Sequence, residues 1–410
     1  MKKKIMAGML AAIAAFSMTA CGDKTADDAA TTPDISDAAV EVTTEASSEG
    51  DDYYTKLVEK ADLLSGLTGY NVDEYVTLGD YNGITIEFQN DYSVGDDDVE
   101  SYVQEMIAGY VDYLKTDETE VKIDSYVNVD YTGIRDGEAF EGGSSQDVTI
   151  DVAGNCSPGG GGYIEGFTSG LPGAKVGDTI EYEVTFPENY GNADLAGVTV
   201  IFQFKINYIC EVPTVEKLRE LEAAGEKPLE KVGVENVDEL YELSREYLEY
   251  YASSNRENEL EDKVLEALNG QTDVNIPEEL IGAQLKCVCK IYEDTYCTDG
   301  QKLEDITQEN FGVPYEEFLK AIAEQMTPGI TNQLIFEAIA KAEGISTTDA
   351  EYDDYMAELV ASNGYEDNSS FYIANGFEDD ATAKAYFLNV CNQNKAFNHV
   401  LDKVEENIAK

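Results

Sequence analysis

The chain has 410 residues and carries 83 acidic side chains against 27 basic ones, for a formal net charge of −56. That field repels phosphate backbones and anionic headgroups and so excludes nucleic acid as a partner. A hydrophobic content of 43%, with 27 tyrosines and 14 phenylalanines, specifies folded domains rather than a disordered polymer. A single histidine, His399, excludes a His-based triad or a multi-His metal centre, and no cofactor or metal is expected.

The N-terminus reads Lys2-Lys3-Lys4, an apolar run from Ile5 to Phe16, then Ser17-Met18-Thr19-Ala20-Cys21. A basic start, a short apolar stretch and small residues before a boundary form a secretory signal. The run falls short of the about 20 apolar residues a membrane span needs. The tetrad MTAC resembles a lipobox, which implies cleavage after residue 20 and lipidation of Cys21. Residues 21–52 are rich in Ala, Thr, Ser, Asp and Glu and lack the apolar side chains that offset ordering entropy, so they are expected to be a flexible acidic tether. The remaining cysteines are scattered, and the Cys287-x-Cys289 pair falls on an expected helix where side chains two apart point away from each other. Free thiols are the expectation.

Residues 53–66 have a helical pattern, and Ile84-Thr-Ile-Glu-Phe88 alternates like a strand. Asp96-Asp97-Asp98 opens an amphipathic helix carrying Val99, Val103, Met106, Ile107, Tyr110 and Leu114, its acids placed at the positive end of the helix dipole. The stretch 53–115 is therefore expected to be a helix, strand and helix region that packs with the C-terminal domain. From there to residue 212 the pattern turns to short alternating segments broken by glycine. Strands are expected at Val121–Ile123, Tyr126–Tyr131, Val148–Val152, Ile180–Phe186 and Val198–Ile206, with a tight turn at Asp136-Gly137 and one short helix at Gly166–Leu171. About five strands with one helix make an antiparallel α+β domain over 116–212.

Five motifs in this domain, VDYTG (129–133), DGEAFEGG (136–143), YIEGFTSGLPGAKVGD (163–178), VTFPENYG (184–191) and VIFQFKI (200–206), resemble the FKBP-type prolyl isomerase domain in the form found in trigger factors. The resemblance implies an aromatic, water-poor cup that receives a proline ring, lined here by Tyr131, Phe140, Tyr163, Ile164, Phe167, Tyr190 and Phe202. It also implies that Phe167 forms the floor, that the Tyr190 hydroxyl and the Ile164 N–H face the substrate carbonyls, and that Glu141 stands where most of the family has Asp. Such a site needs neither nucleophile nor metal. The barrier of about 18–20 kcal/mol comes from amide resonance, which an apolar cup disfavours and fixed donors help to break. The connection Ala153–Gly162, with four glycines from Gly159, is longer than the family's and reads as an insertion at the cup's rim.

Beyond Val212-Pro213 the periodicity is helical: Leu240, Leu243, Tyr247 and Tyr251, then Leu260, Val264, Leu265 and Leu268. Further helices are expected after Asn275-Ile-Pro277, over Phe318 to Met326 with a stop at Pro328-Gly329, over Leu334–Ala342 and Tyr352–Val360, and from Thr382 on. VENVDELYELSREYLE (234–249), LEDKVLEALNGQTDVNIPEELI (260–281) and the stretch 334–365 resemble the arm-forming C-terminal domain of trigger factors, so 213–410 is expected to be an all-α arm domain. Upstream, YVTLGDYNGITIEF (75–88) resembles only the linker that follows the ribosome-binding domain of that family, and a ribosome role is not expected to carry over. Together these features imply an isomerase and chaperone for unfolded or proline-containing exported polypeptides, lipid-anchored outside the cell membrane. The alternative is a non-catalytic holding protein whose isomerase cup is degenerate.

Overall fold

A computed structural model describes residues 52–298 and 300–405; the leader, Cys21 and nearly all of the tether lie outside the described residues. Two compact units emerge. One joins the described stretch up to Gln89 with the stretch from Glu257 onward; the other is Asn90–Arg256. The division cuts across the boundaries expected at 115 and 212, because residues 90–115 and 213–256 build a shared apolar core within the second unit.

In chain order the elements are α1 (Tyr53–Lys60), α2 (Leu63–Thr68) and β1 (Val76–Thr77), then α3 (Asp96–Tyr110), β2 (Leu114–Lys115), β3 (Tyr126–Arg135), β4 (Glu138–Asp151), β5 (Thr179–Thr185), β6 (Thr199–Glu211) and α4 (Val215–Ala223). α5 (Val237–Gln271) gives its first part to one unit and its last part to the other. The chain closes with β7 (Asp273–Val274), α6 (Glu278–Tyr296), α7 (Leu303–Asn310), α8 (Tyr315–Glu343), α9 (Asp349–Ser362), α10 (Asn368–Ala374) and α11 (Asp380–Glu405).

The Asn90–Arg256 unit is organised on β6. Along one edge β6 pairs antiparallel with β3, which pairs in turn with β4; along its other edge it takes β5 and, near its end, β2. Alternation explains the face that is buried: Val200, Phe202, Phe204 and Ile206 point into the core with Val127, Val129, Ile150 and Val184, while Ile201 and Lys205 point out. Asp136 and Gly137, at φ 54° and 89°, form the tight turn expected between β3 and β4. A second core joins Val99, Val103 and Ile107 of α3 to Leu218 of α4, Leu229, and Val237 and Leu240 of α5. Leu114, expected to continue α3, instead lies in β2, where the edge of β6 offers its backbone partners.

Two expected elements of the sheet region take other forms. Val121–Ile123 is not a strand; it is tied at one point, where Val121 exchanges backbone hydrogen bonds with Ala174 and Gly173. Gly166–Leu171 is not a regular helix but a chain of turns closed by Phe167 N–H to Ile164, Ser169 N–H to Gly166 and Leu171 N–H to Thr168. Gly166, at φ 83°, is in the left-handed region that interrupts a helix.

The other unit is helical apart from the short β1–β7 pair. Its main core draws on α6, α8, α9, α10 and α11, with Leu67 of α2, and a second cluster holds Ile84 and Ile86 against Val264, Leu268, Ile335, Phe336, Ile339, Phe397 and Val400. Ile84–Phe88 alternates in burial as expected of a strand, yet it pairs with no strand; its partners are helix faces. Pro328 does not stop its helix. α8 continues through it to Glu343 because Phe318, Leu319, Ile322 and Met326 before the proline and Ile330 and Leu334 after it face the same core. Each such buried side chain stabilises by about 1.5–3 kcal/mol, enough together to offset the about 3 kcal/mol a helical proline costs. All six described cysteines are free thiols, and burial pushes those of Cys287 and Cys289 up to about 12. No described helix is long and apolar enough to cross a membrane.

Candidate functional site

β3, β4 and β6 converge on an aromatic cluster. Tyr131 of β3 is paired across the sheet with Phe204 of β6, and Gly133 with Phe202. Phe140 of β4 folds back over this sheet into a slot made by glycines. A Cβ on Gly133 would lie 2.4 Å from the Phe140 ring and one on Gly143 also 2.4 Å from it, so any other residue at either position would push the ring out of its slot. Phe167 enters from the turns after the Ala153–Gly162 loop and sits at the centre. Its ring meets Phe202, Phe204 and Tyr131 edge-on at 4.9, 5.1 and 5.2 Å between centroids. Edge-to-face geometry of this kind adds stability beyond the buried area.

The turns carrying Phe167 are tightly held. Tyr182 of β5 donates its hydroxyl to the Phe167 carbonyl and stacks on Phe204 at 5.2 Å. Asn155 ties the loop to the same turns: its Nδ2 donates to the carbonyls of Tyr163 and Ile164, both at 3.0 Å, and its Oδ1 accepts from the Thr168 N–H and hydroxyl, both at 3.1 Å.

Of the residues expected to line the cup, Tyr131, Phe140, Tyr163, Phe167 and Phe202 form one cluster, with Ile164 half-buried against it. Tyr190 reaches it through a chain of rings: Tyr190 to Phe186 at 4.6 Å, Phe186 to Phe140 at 6.1 Å, Phe140 to Phe202 at 6.1 Å. Its side of the cup is open, with Tyr190 38% exposed. Glu141 is not brought into the cluster. Side chains alternate along β4, so with Phe140 turned inward Glu141 faces the other way, exposed. Three residues that sequence reasoning missed belong to the site: Phe204, Phe186 and Asn155. The first stands two positions from Phe202 on β6 and was legible from the strand period; Phe186 lies inside a quoted motif; Asn155 left no signal.

The polar complement of this apolar surface is small. Among the described residues the Tyr131 and Tyr190 hydroxyls and the Ile164 N–H have no hydrogen-bond partner, which leaves two phenols and one backbone donor available beside the rings. Burial raises the Tyr131 phenol above its ordinary pKa, and burial and then neighbouring Tyr131 do the same for Tyr163, so both are neutral donors at physiological pH. A dry aromatic surface with uncharged donors at its rim can hold an apolar ring and hydrogen-bond a carbonyl beside it. It has no nucleophile aimed at that carbonyl.

Comparison with known proteins places this arrangement. Residues 117–207 match the model of the FKBP-type peptidyl-prolyl cis-trans isomerase family, and residues 236–390 match that of the bacterial trigger factor C-terminus. Over 304 residues the chain is 30% identical to the trigger factor of Bacillus subtilis, covering 74% of this chain and 68% of that one. It belongs to the trigger factor family. The trigger factor of Bacillus pumilus is likewise 30% identical over 306 residues, covering 74% and 68% of the two chains. That of Halothermothrix orenii is 30% identical over 285 residues, and this chain spans 63% of its length. A solved trigger factor chaperone, described for promiscuous substrate recognition in folding and assembly, aligns at 16% identity and a TM-score of 0.40 over 80% of this chain and 73% of that one. In trigger factor terms, the cup lies in the FKBP-like part of the chain and the helical unit holds most of the C-terminal match.

Proposed function

We propose that this protein is a peptidyl-prolyl isomerase and chaperone for exported polypeptides, held at the outer face of the cell membrane by a lipid on Cys21. The observation that carries the catalytic half is the cup itself: Phe167 ringed by Tyr131, Tyr163, Phe202 and Phe204, with Phe140 packed on Phe202 and the Tyr131 and Tyr190 hydroxyls and the Ile164 N–H unpaired at its rim. A proline ring held there brings its preceding carbonyl to neutral donors, and transfer out of water disfavours the charge-separated amide resonance that resists rotation. The match to the trigger factor C-terminus supports the chaperone half, with unfolded segments as clients. The lipobox-like MTAC after an apolar leader supports export and anchoring.

The test is an isomerisation assay of the full chain on an Xaa-Pro tetrapeptide, run beside suppression of client aggregation. The expected result is acceleration by the wild type, a loss of about fivefold in Tyr190→Phe and near-complete loss in Phe167→Ala. Suppression of aggregation with no acceleration in the wild type contradicts the catalytic half and leaves a holding protein. One observation favours that second reading: Phe167 is only 2% exposed. Export and anchoring are tested by metabolic labelling with a fatty acid, where Cys21→Ser is expected to abolish incorporation; labelling that persists overturns the assignment of Cys21.

A further inference from the structure

The cup is filled by one of its own walls. Tyr163 and Phe167 lie face to face, with centroids 4.3 Å apart and planes 24° from parallel. The neighbouring rings of Tyr131, Phe202 and Phe204 are steeply inclined to Phe167, at 85°, 78° and 70°; Tyr163 alone among these four covers its face. With that face covered, Phe167 keeps 2% of its surface accessible. A pyrrolidine ring seeking the floor needs the space the Tyr163 phenol occupies.

What holds Tyr163 there is mostly backbone, with one bond at the end of its ring. Its N–H donates to the Asn155 carbonyl at 2.8 Å, and its carbonyl accepts from Asn155 Nδ2 at 3.0 Å. Asn155 adopts φ 49° to make both bonds. The loop is pinned again at Gly159, where a Cβ would lie 2.1 Å from the Gly109 carbonyl oxygen on α3. Only one tie involves the phenol, a hydrogen bond between its hydroxyl and the Ser157 side chain. Rotation about χ1 exchanges that single bond for one to water and uncovers Phe167 while the loop keeps its place, since the Tyr163 side chain is only half-buried.

We propose that Tyr163 is a displaceable plug: its ring occupies the proline position on Phe167 until substrate competes it away. The proposal rests on the proline-cup reading above and adds an internal competitor to it. A stacked aromatic pair of this kind shifts a two-state balance roughly twofold to tenfold toward the closed form. Apparent affinity falls by the open fraction, so the plug weakens binding of every prolyl ligand by that same factor. A simple wall does the reverse, since removing it costs binding.

The experiment titrates the full chain with a fluorescent Xaa-Pro tetrapeptide and assays isomerisation on the same samples, for the wild type, Tyr163→Val, Tyr163→Ala and Tyr163→Phe. The Val and Ala variants are expected to bind roughly twofold to tenfold more tightly, with kcat/KM raised in step, and the Phe variant, whose ring still stacks but which loses the bond to Ser157, to fall between them and the wild type. Equal or weaker binding by Val and Ala beside an active wild type overturns the plug and leaves the cup standing. An inert wild type with active small variants supports both. Inertness of all four, each shown folded by its thermal transition, removes the cup reading and the plug with it. In the wild type alone, the Tyr163 ring protons, shielded by Phe167, are expected to move downfield on saturation with peptide. If they stay in place, the plug is excluded whatever the variants do.

Discussion

Both units of this protein are built on aromatic clusters, and the two clusters treat their hydroxyls differently. In the helical unit Tyr352 and Tyr372 share a hydrogen bond at 2.5 Å, Asn394 donates to the Tyr355 hydroxyl at 3.1 Å, and Tyr70 donates to Glu337 at 2.7 Å. Around them Phe371 and Phe387 are sealed. In the FKBP-like unit Phe202 and Phe204 are as deeply buried, yet the phenols of Tyr131 and Tyr190 are left without partners. The helical unit also leaves polar atoms unpaired, among them Thr307 Oγ1 and Asn375 Oδ1, but these are sealed from solvent, whereas Tyr190 is open to it. Ring content alone does not separate a binding cup from a core; unpaired hydroxyls on rings that reach solvent, as at Tyr190, do.

The widest separation between the two clusters is expected from truncating their centres. Phe167→Ala removes the ring that meets Tyr131, Tyr163, Phe202 and Phe204 and is expected to destabilise the FKBP-like unit by about 3–5 kcal/mol and to abolish isomerisation, read by thermal unfolding and the peptide assay. The comparison breaks if activity survives that loss. A sharper contrast comes from deleting hydroxyls only. Tyr352→Phe removes its buried bond to Tyr372, which keeps Asn368 as a partner, and is expected to cost about 1 kcal/mol of stability with isomerisation unchanged. Tyr190→Phe is expected to alter stability by less than about 0.5 kcal/mol while lowering kcat/KM about fivefold, the worth of one hydrogen bond made in the transition state. Swapped outcomes, with stability lost at Tyr190 and activity lost at Tyr352, dissolve the distinction.

Smaller effects probe the helical unit alone. Thr348 and Glu351 form a capping box at the start of α9, and bonds from the Thr348 N–H and from Lys395 hold the Glu351 carboxyl down at about 2. Thr348→Ala is expected to cost about 1 kcal/mol at neutral pH, measured by denaturant unfolding. A depressed carboxyl stabilises the fold above its unfolded value of 4.5 and ceases to as pH falls through about 2, so the box's contribution fades over that window. Glu337 has the opposite sign. Burial raises its carboxyl above the ordinary 4.5, so its contribution is greatest below that value and is lost as pH rises through the folded pKa. Glu337→Gln, neutral throughout, is expected to stabilise this unit at pH 8 and to leave it unchanged at pH 4; stabilisation at both values contradicts the linkage.

Two strands of the FKBP-like unit were legible because one face of each is buried, which writes a period of two into Ile180–Phe186 and Val198–Ile206; in Tyr126–Tyr131 the sequence alternates although Asn128 is buried along with Val127 and Val129. The same signal misled at Ile84–Phe88, whose alternation reflects burial against helices rather than a ladder. Local rules failed where tertiary packing outweighed them: Pro328 sits inside α8 because the core continues on both sides of it, and α3 stops at Tyr110 because β6 claims Leu114. At the site, the rings were legible and their surroundings were not. Phe140 inward fixes Glu141 outward, a consequence of strand period that motif likeness overrode. The Asn155 clamp and the covering of Phe167 by Tyr163 depend on the path of a loop whose glycines leave its course open.

The account turns on where a prolyl ring goes. Titration of the full chain, selectively labelled at Phe, Tyr and Ile, with an Xaa-Pro tetrapeptide places that ring by its nuclear Overhauser contacts. The account predicts contacts from the pyrrolidine protons to the rings of Tyr131, Phe167 and Phe202, together with a shifted Ile164 amide. Contacts confined to the helical unit, or an Ile164 amide unmoved at saturation, would contradict it.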